Sequence, residues 1–273
     1  MFGTGQVFLN LSFYAILPVI LIFYYVYKRD KFPEPPRIVF ITFLLGIGIT
    51  FPLGILIFAV EGFLGTLDLG IESSNFFMSF IRAAFLEEMM KFFVLIFYCL
   101  RLDIFEEPMD ALVYGVAASL GFAVIENWEY VLGASKDGIE IAKDVALIRS
   151  FTAVPLHALA GVFMGFFLMD AIFKKHNRKF FLFLALFFPV CLHGLYDLIL
   201  FSQNISDYYI YILLVIFIVQ AFFIFKKERS KQNYSENKNI KVIPKTSDIM
   251  FVVFVTFAIL FATNYFIDYA MYR

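Results

Sequence analysis

Eight stretches of this chain are apolar over about 20 residues, the length an α-helix needs to cross a bilayer core of about 30 Å. They run Val7 to Tyr27, Ile38 to Leu64, Phe76 to Leu100, Pro108 to Leu132, Ser150 to Phe173, Phe180 to Phe201, Tyr208 to Phe225 and Ile249 to Tyr269. Backbone amides have no water to bond with in hydrocarbon, so each stretch is expected to be helical. The predicted fold is therefore all-α: a polytopic membrane protein of about eight transmembrane helices. It forms one integral membrane domain over residues 1–273, with a core at about 76–203, a polar cytoplasmic linker at about 226–247 and a further span at about 249–269. Val7 to Tyr27 has no basic residue before it and is too long for a signal-peptide core, so it reads as a retained span. Composition agrees: 62% of residues are hydrophobic and only 16% charged, against about 25% charged in soluble domains. A net charge of −1 removes the footprint of a nucleic-acid binder. Cys99 and Cys191 both lie inside apolar runs, so no disulfide framework or cysteine-rich zinc pattern is expected.

Basic residues collect on the cytoplasmic side of membrane proteins, and here their distribution is one-sided. Loops after odd-numbered spans carry Lys28, Arg29, Lys31 and Arg37, then Arg101, then Lys174, Lys175, Arg178 and Lys179, then seven more between Lys226 and Lys245. Loops after even-numbered spans carry only Lys136, Lys143 and Arg149, all in one loop. Both termini are therefore expected outside. Phe, Ile, Lys and Asn richness suggests a low-GC bacterium, and with it the bacterial plasma membrane.

Ionisable groups inside a span are costly and call for a reason. The third span holds Glu87, Glu88 and Lys91, the fourth Glu126 and Asn127, the fifth His157, and the sixth His193 and Asp197. Residues four apart on a helix share a face, so Lys91 reaches the glutamates and Asp197 is placed to orient His193. At 1.5 Å per residue, these groups lie between about 6 and about 17 Å from the outer ends of their spans. Four helices thus bring carboxylates and imidazoles to overlapping depths in the outer half of the membrane. Other charges read as structural: Arg82 and Glu61 pair or snorkel near outer ends, and Asp110 and Asp170 sit at helix ends. Gly161 is read as a helix-packing residue, and Gly46, Gly48, Pro52 and Gly54 as a bend in the second span.

Carboxylates with imidazoles, and no Ser–His pair or nucleophilic cysteine, suit the activation of water for hydrolysis of a carbonyl compound. Two rivals stay open. His157, His193 and a glutamate, with Glu126 the candidate, form a two-His, one-carboxylate set for zinc. A proton-coupled transporter also needs buried Glu, His and Asp.

In chain order, Glu87-Glu88-x-x-Lys91, Phe122-x-x-x-Glu126-Asn127, His157-x-x-x-Gly161 and His193-x-x-x-Asp197 resemble the motif set of the PrsW family of intramembrane proteases. That family is distantly related to the CAAX prenyl endopeptidases and CPBP proteins. The resemblance covers roughly Phe76 to Leu200. In the CAAX relatives the second motif ends in His, whereas here it ends in Glu126, which favours PrsW. The resemblance implies an endopeptidase that makes the site-1 cut in a membrane-anchored protein such as an anti-sigma factor, with no cofactor expected. It implies Glu87 as the base that activates water, with Glu88 as the alternative, and Glu126 holding the water or sharing its proton. His157 and His193 would polarise the scissile carbonyl or protonate the leaving amine. Asp197 would orient His193, and Asn127 would bond substrate or a catalytic carboxylate.

Overall fold

The structure, a computed structural model, describes residues 4–174, 176–202, 205–232 and 241–272. Among these residues every regular element is helical. The first two expected spans are α1 (Thr4–Tyr27) and the pair α2 (Pro36–Gly48) and α3 (Thr50–Leu64), which break at Ile49, within the glycine- and proline-rich stretch read as a bend. The third is one continuous helical run in three pieces, α4 (Ile71–Phe76), a π-helical segment (Phe77–Phe85) and α5 (Leu86–Phe97). Then follow α6 (Pro108–Ala134), α7 (Ile139–Phe151), α8 (Ala153–Phe173), α9 (Arg178–Phe201), α10 (Tyr208–Lys231) and α11 (Thr246–Tyr272).

Among the described residues, seven helical runs are long and apolar enough to cross a membrane. The continuous run from Ile71 to Phe97 is the exception, because Arg82, Glu87, Glu88 and Lys91 make it too charged for a lipid-facing helix. It is held where lipid does not reach it: Glu88 and Lys91 are fully buried, and Glu87 nearly so. At the centre stands α6, with 89% of its most apolar stretch buried, against 11% in the α2–α3 run.

The central crossing of α6 with α8 is built from small residues, because without a hydrophobic drive between helices in lipid, close backbone contact supplies the attraction. A Cβ on Gly161 would lie 2.5 Å from the Gly115 carbonyl oxygen and 2.8 Å from Ser119 Oγ. One on Gly165 would lie 2.2 Å from the Ala111 carbonyl oxygen. Gly161 is thus a packing residue, as its motif suggested. Gly46 does not bend its helix. It packs against α6, where an added Cβ would meet the Ala118 carbonyl oxygen at 2.1 Å.

Two segments differ from the reading of the sequence. The stretch up to Arg149, expected as a loop, joins Ser150 and Phe151 of the expected fifth span to form α7 (Ile139–Phe151), which packs on α1, α6 and α8 and buries Ala142 and Ala146 against α1 and α6. Its apolar residues were too few for a span, and periodicity alone did not mark so short a helix. The expected linker begins as helix: α10 continues to Lys231, where Lys231 pairs with Glu228 at 2.6 Å. Residues 233–240 of that linker lie outside the described residues. Cys99 and Cys191 are free thiols, Asp110 closes the first turn of α6, and Arg82 pairs with Glu61 of α3 at 2.8 Å.

Candidate active site

Five helices supply the polar residues of the interior. On α5, the i, i+3 and i, i+4 spacings turn Glu88 and Glu87 toward Lys91, whose ammonium lies 2.8 Å from Glu88 Oε1 and 3.6 Å from Glu87 Oε2. The π-helical segment immediately precedes this stretch. Helical segments of this type are rare and concentrate at functional sites. Its Phe80 fills the space beside Gly194, where a Cβ would come within 2.4 Å of the ring, so the residue after His193 has to be small.

Lys91 reaches across to α8, with Nζ 3.1 Å from His157 Nδ1. An ammonium only donates, so Nδ1 accepts and the ring proton sits on Nε2. That nitrogen therefore donates to Glu126 Oε2 of α6, 2.6 Å away. Lys91 also lies over the Phe122 ring at 4.2 Å. On α9, His193 Nδ1 is 2.9 Å from Glu88 Oε1, and Nε2 is 3.5 Å from Asp197 Oδ2 and 3.9 Å from Glu87 Oε2. The two imidazoles meet edge to face at 5.2 Å. Pro189, one turn before His193, removes the backbone donor that the Ala185 carbonyl would otherwise receive.

The structure thus brings together all six residues expected to be catalytic, but in two tiers. Donor atoms of Glu87, Glu88, His157 and His193 all lie within 4.8 Å of one another, and all four residues are buried. Glu126 stands behind His157 and Asp197 behind His193. Glu87 Oε2 and Glu88 Oε2 are buried without a hydrogen-bond partner. Asn127 uses both polar atoms for structure: Nδ2 donates to the Ala15 carbonyl of α1 at 2.6 Å, and Oδ1 accepts from Arg149 Nε at 2.7 Å.

Arg149, on α7, is the residue that reading the sequence overlooked. Its guanidinium forks between Asn127 and Glu126 Oε2, the latter at 3.0 Å, and lies over the Tyr130 ring at 4.0 Å. A signal was present: it is one of only three basic residues in the loops after even-numbered spans, where the charge bias that sets orientation gives a cation no purpose. A cavity of about 680 Å³ between α1, α8 and α10 is mostly apolar and holds none of these groups.

Comparison with known proteins fits this arrangement. Residues 34–222 match the family described as PrsW family intramembrane metalloprotease. The chain belongs to the PrsW family. It is 36% identical over 197 residues to Protease PrsW of Bacillus subtilis, covering 71% of this chain and 84% of that one. Protease PrsW of Geobacillus kaustophilus is 34% identical, with 71% and 81% covered, and that of Clostridioides difficile 30% identical, with 77% and 86% covered. No solved structure matches. The chain is thus a multi-pass integral membrane protein and a peptidase. The PrsW match takes in α2 and most of α10, beyond the Phe76 to Leu200 stretch that carries the four motifs, while α11 lies outside it.

Proposed function

We propose that this PrsW-family peptidase cuts a membrane-anchored protein near the extracytoplasmic face of the plasma membrane, with an anti-sigma factor as the substrate class. The distribution of Lys and Arg supports this orientation, with both termini outside. The site then lies toward the outer face, because the end of α6, α7 and the start of α8 frame it.

One observation carries the chemistry: Glu87 Oε2 is a buried carboxylate oxygen with no hydrogen bond, facing His193 Nε2 at 3.9 Å. Glu88 is tied down by Lys91 and His193, so it positions. Glu87 is held only by its longer, 3.6 Å ion pair with Lys91, so it serves as the base. In this reading Glu87 takes a proton from water as the water attacks the scissile carbonyl, and returns it to the leaving amine. His193 is held by Glu88 at Nδ1, and its Nε2, only loosely approached by Asp197 at 3.5 Å, donates to the developing oxyanion. The chain from Arg149 through Glu126 to His157 fixes the second imidazole.

A second reading is favoured by the donor set. Four carboxylates, Glu87, Glu88, Glu126 and Asp197, face two fixed cations, Lys91 and Arg149, and both nitrogens of His193 face carboxylates. Protons or a divalent metal meet that deficit. By donor type the residues fit zinc, with Glu87, His157 and His193 as the residues that would hold it and Glu88 adjacent, His157 offering Nδ1 once Lys91 swings away from it. When bound, zinc supplies Lewis-acid polarisation and makes water more acidic.

The purified protein, reconstituted with a candidate anti-sigma factor, tests both readings. Loss of cleavage in Glu87→Ala, Glu126→Ala and His193→Ala is expected, and unchanged cleavage in all three would refute the proposal. Activity that survives chelation with substoichiometric metal supports the glutamate reading. Loss on chelation, restored by zinc, supports the metal reading.

A further inference from the structure

A second buried polar cluster lies at the opposite end of the bundle, sharing only α6 with the candidate active site. The loop between α1 and α2 contributes Asp30 and Glu34, the start of α6 contributes Glu107 and Asp110, and the end of α10 contributes Gln232. Gln232 bridges them: its Nε2 donates to Asp30 Oδ1 at 2.6 Å and to Glu107 Oε1 at 2.5 Å, and its Oε1 accepts from the Lys31 backbone amide at 3.1 Å. Asp110 Oδ2 accepts from the backbone amides of Glu106 and Glu107 at 2.7 and 2.8 Å.

These bonds use one face of each carboxylate and leave the other bare. Asp30 Oδ2 and Asp110 Oδ1 are buried without a hydrogen bond from any amide or cation, Asp110 meeting only the carboxyl of Glu34, and Asp30 and Asp110 are 7% and 1% exposed. Beside them the fully buried Tyr114 also turns its hydroxyl to Glu34. One oxygen each from Asp30, Glu107 and Asp110 converges within 4.8 Å. Among the described residues, no lysine or arginine pairs with any of the four acids.

Bare buried carboxylate oxygens are strongly unfavourable, and hard oxygen donors in this number suit a hard divalent ion. We propose that Asp30, Glu107 and Asp110 bind magnesium or calcium, which fastens the α1–α2 loop and the end of α10 to α6. Lys31, Phe32, Pro33 and Pro35 of the covering loop are exposed, so the ion lies one layer beneath solvent.

The test uses the full chain in detergent, stripped with chelator, in a His193→Ala background that disables the candidate active site as a metal trap. Equilibrium dialysis against magnesium chloride and, separately, calcium chloride reads stoichiometry and identifies the ion. One ion per chain is expected, with Tm rising by about 5–10 °C at a hundredfold excess over Kd. Asp30→Asn and Glu107→Gln each weaken binding at least tenfold. A third measurement needs no substitution in the cluster: terbium luminescence sensitised by Tyr114 and Tyr27, and quenched as calcium displaces terbium. Absence of saturable binding by either ion, or binding unchanged in both variants, overturns the proposal. So does a Tm indifferent to both metals that rises on acidification, because the carboxyls then share protons instead.

Discussion

Replacing Arg149 with alanine tests whether α7 belongs to the catalytic apparatus. The guanidinium makes two charge-assisted bonds, at 3.0 Å to Glu126 Oε2 and at 2.7 Å to Asn127 Oδ1. Bonds to charged groups contribute about 1.5–3 kcal/mol each. Side-chain exposures of 13% for Arg149 and 19% for Glu126 let water replace part of that, so the loss for Arg149→Ala is about 3 kcal/mol. Arg149→Lys keeps the charge but lacks the fork and recovers about half. Because Glu126 holds His157 Nε2, the same change loosens the imidazole, and kcat falls about 10–100-fold, the range typical of losing a group that orients a functional histidine, with KM little changed. Unfolding in mixed micelles measures stability, and cleavage in proteoliposomes measures activity. A double-mutant cycle with Glu126→Gln isolates the pair and should return a coupling of at least about 1 kcal/mol. Coupling near zero, together with Arg149→Ala cleaving at the wild-type rate, refutes the reasoning.

Other substitutions separate chemistry from packing. Glu87→Gln abolishes cleavage with little loss of stability, because its Oε2 makes no hydrogen bond and Glu88, at 2.8 Å, remains the closer anion to Lys91, and cleavage and Tm assays read the two effects apart. Glu88→Ala does both, since it leaves the fully buried Lys91 ammonium with one of its closest anions gone. Loss of one partner in such a pair costs about 3–5 kcal/mol, which denaturation in micelles resolves. Gly161→Ala forces α6 and α8 apart and costs about 1–3 kcal/mol, whereas Gly54→Ala, with nothing within 4 Å of the new Cβ, is neutral or mildly stabilising. Breaking the exposed Arg82–Glu61 pair shifts stability by less than about 1 kcal/mol in the same assay.

Much of this arrangement was legible beforehand because lipid simplifies the reading. A long apolar run in hydrocarbon has one stable backbone conformation, so α1, α6, α9, α10 and α11 follow from hydropathy with shifts of a few residues. The same logic exposed Glu87, Glu126, His157 and His193, since each is improbable where it sits and their depths coincide. What stayed hidden was at boundaries and in azimuth. The helix α7 is short and mixed in polarity, so it resembled a loop. Arg149 belongs to that helix and was therefore counted as a loop charge. The acidic cluster of Asp30, Glu107 and Asp110 was invisible because its members are far apart in sequence, at span ends where charges are ordinary.

By itself the sequence determined that this chain crosses the membrane many times, that it is helical, and that a few carboxylates and imidazoles sit at depths lipid should forbid. Those conclusions rest on solvation, which acts residue by residue along the chain. Only the tertiary structure decided which groups meet. Glu88 anchors Lys91 and His193 while Glu87 keeps only a longer ion pair with Lys91, Glu126 backs His157 and does not join the inner four, and Asn127 serves Arg149. The reason is geometric: contact between helices depends on rotation about each axis and on the close approach that Gly115, Gly161 and Gly165 permit, and neither is written in any single span.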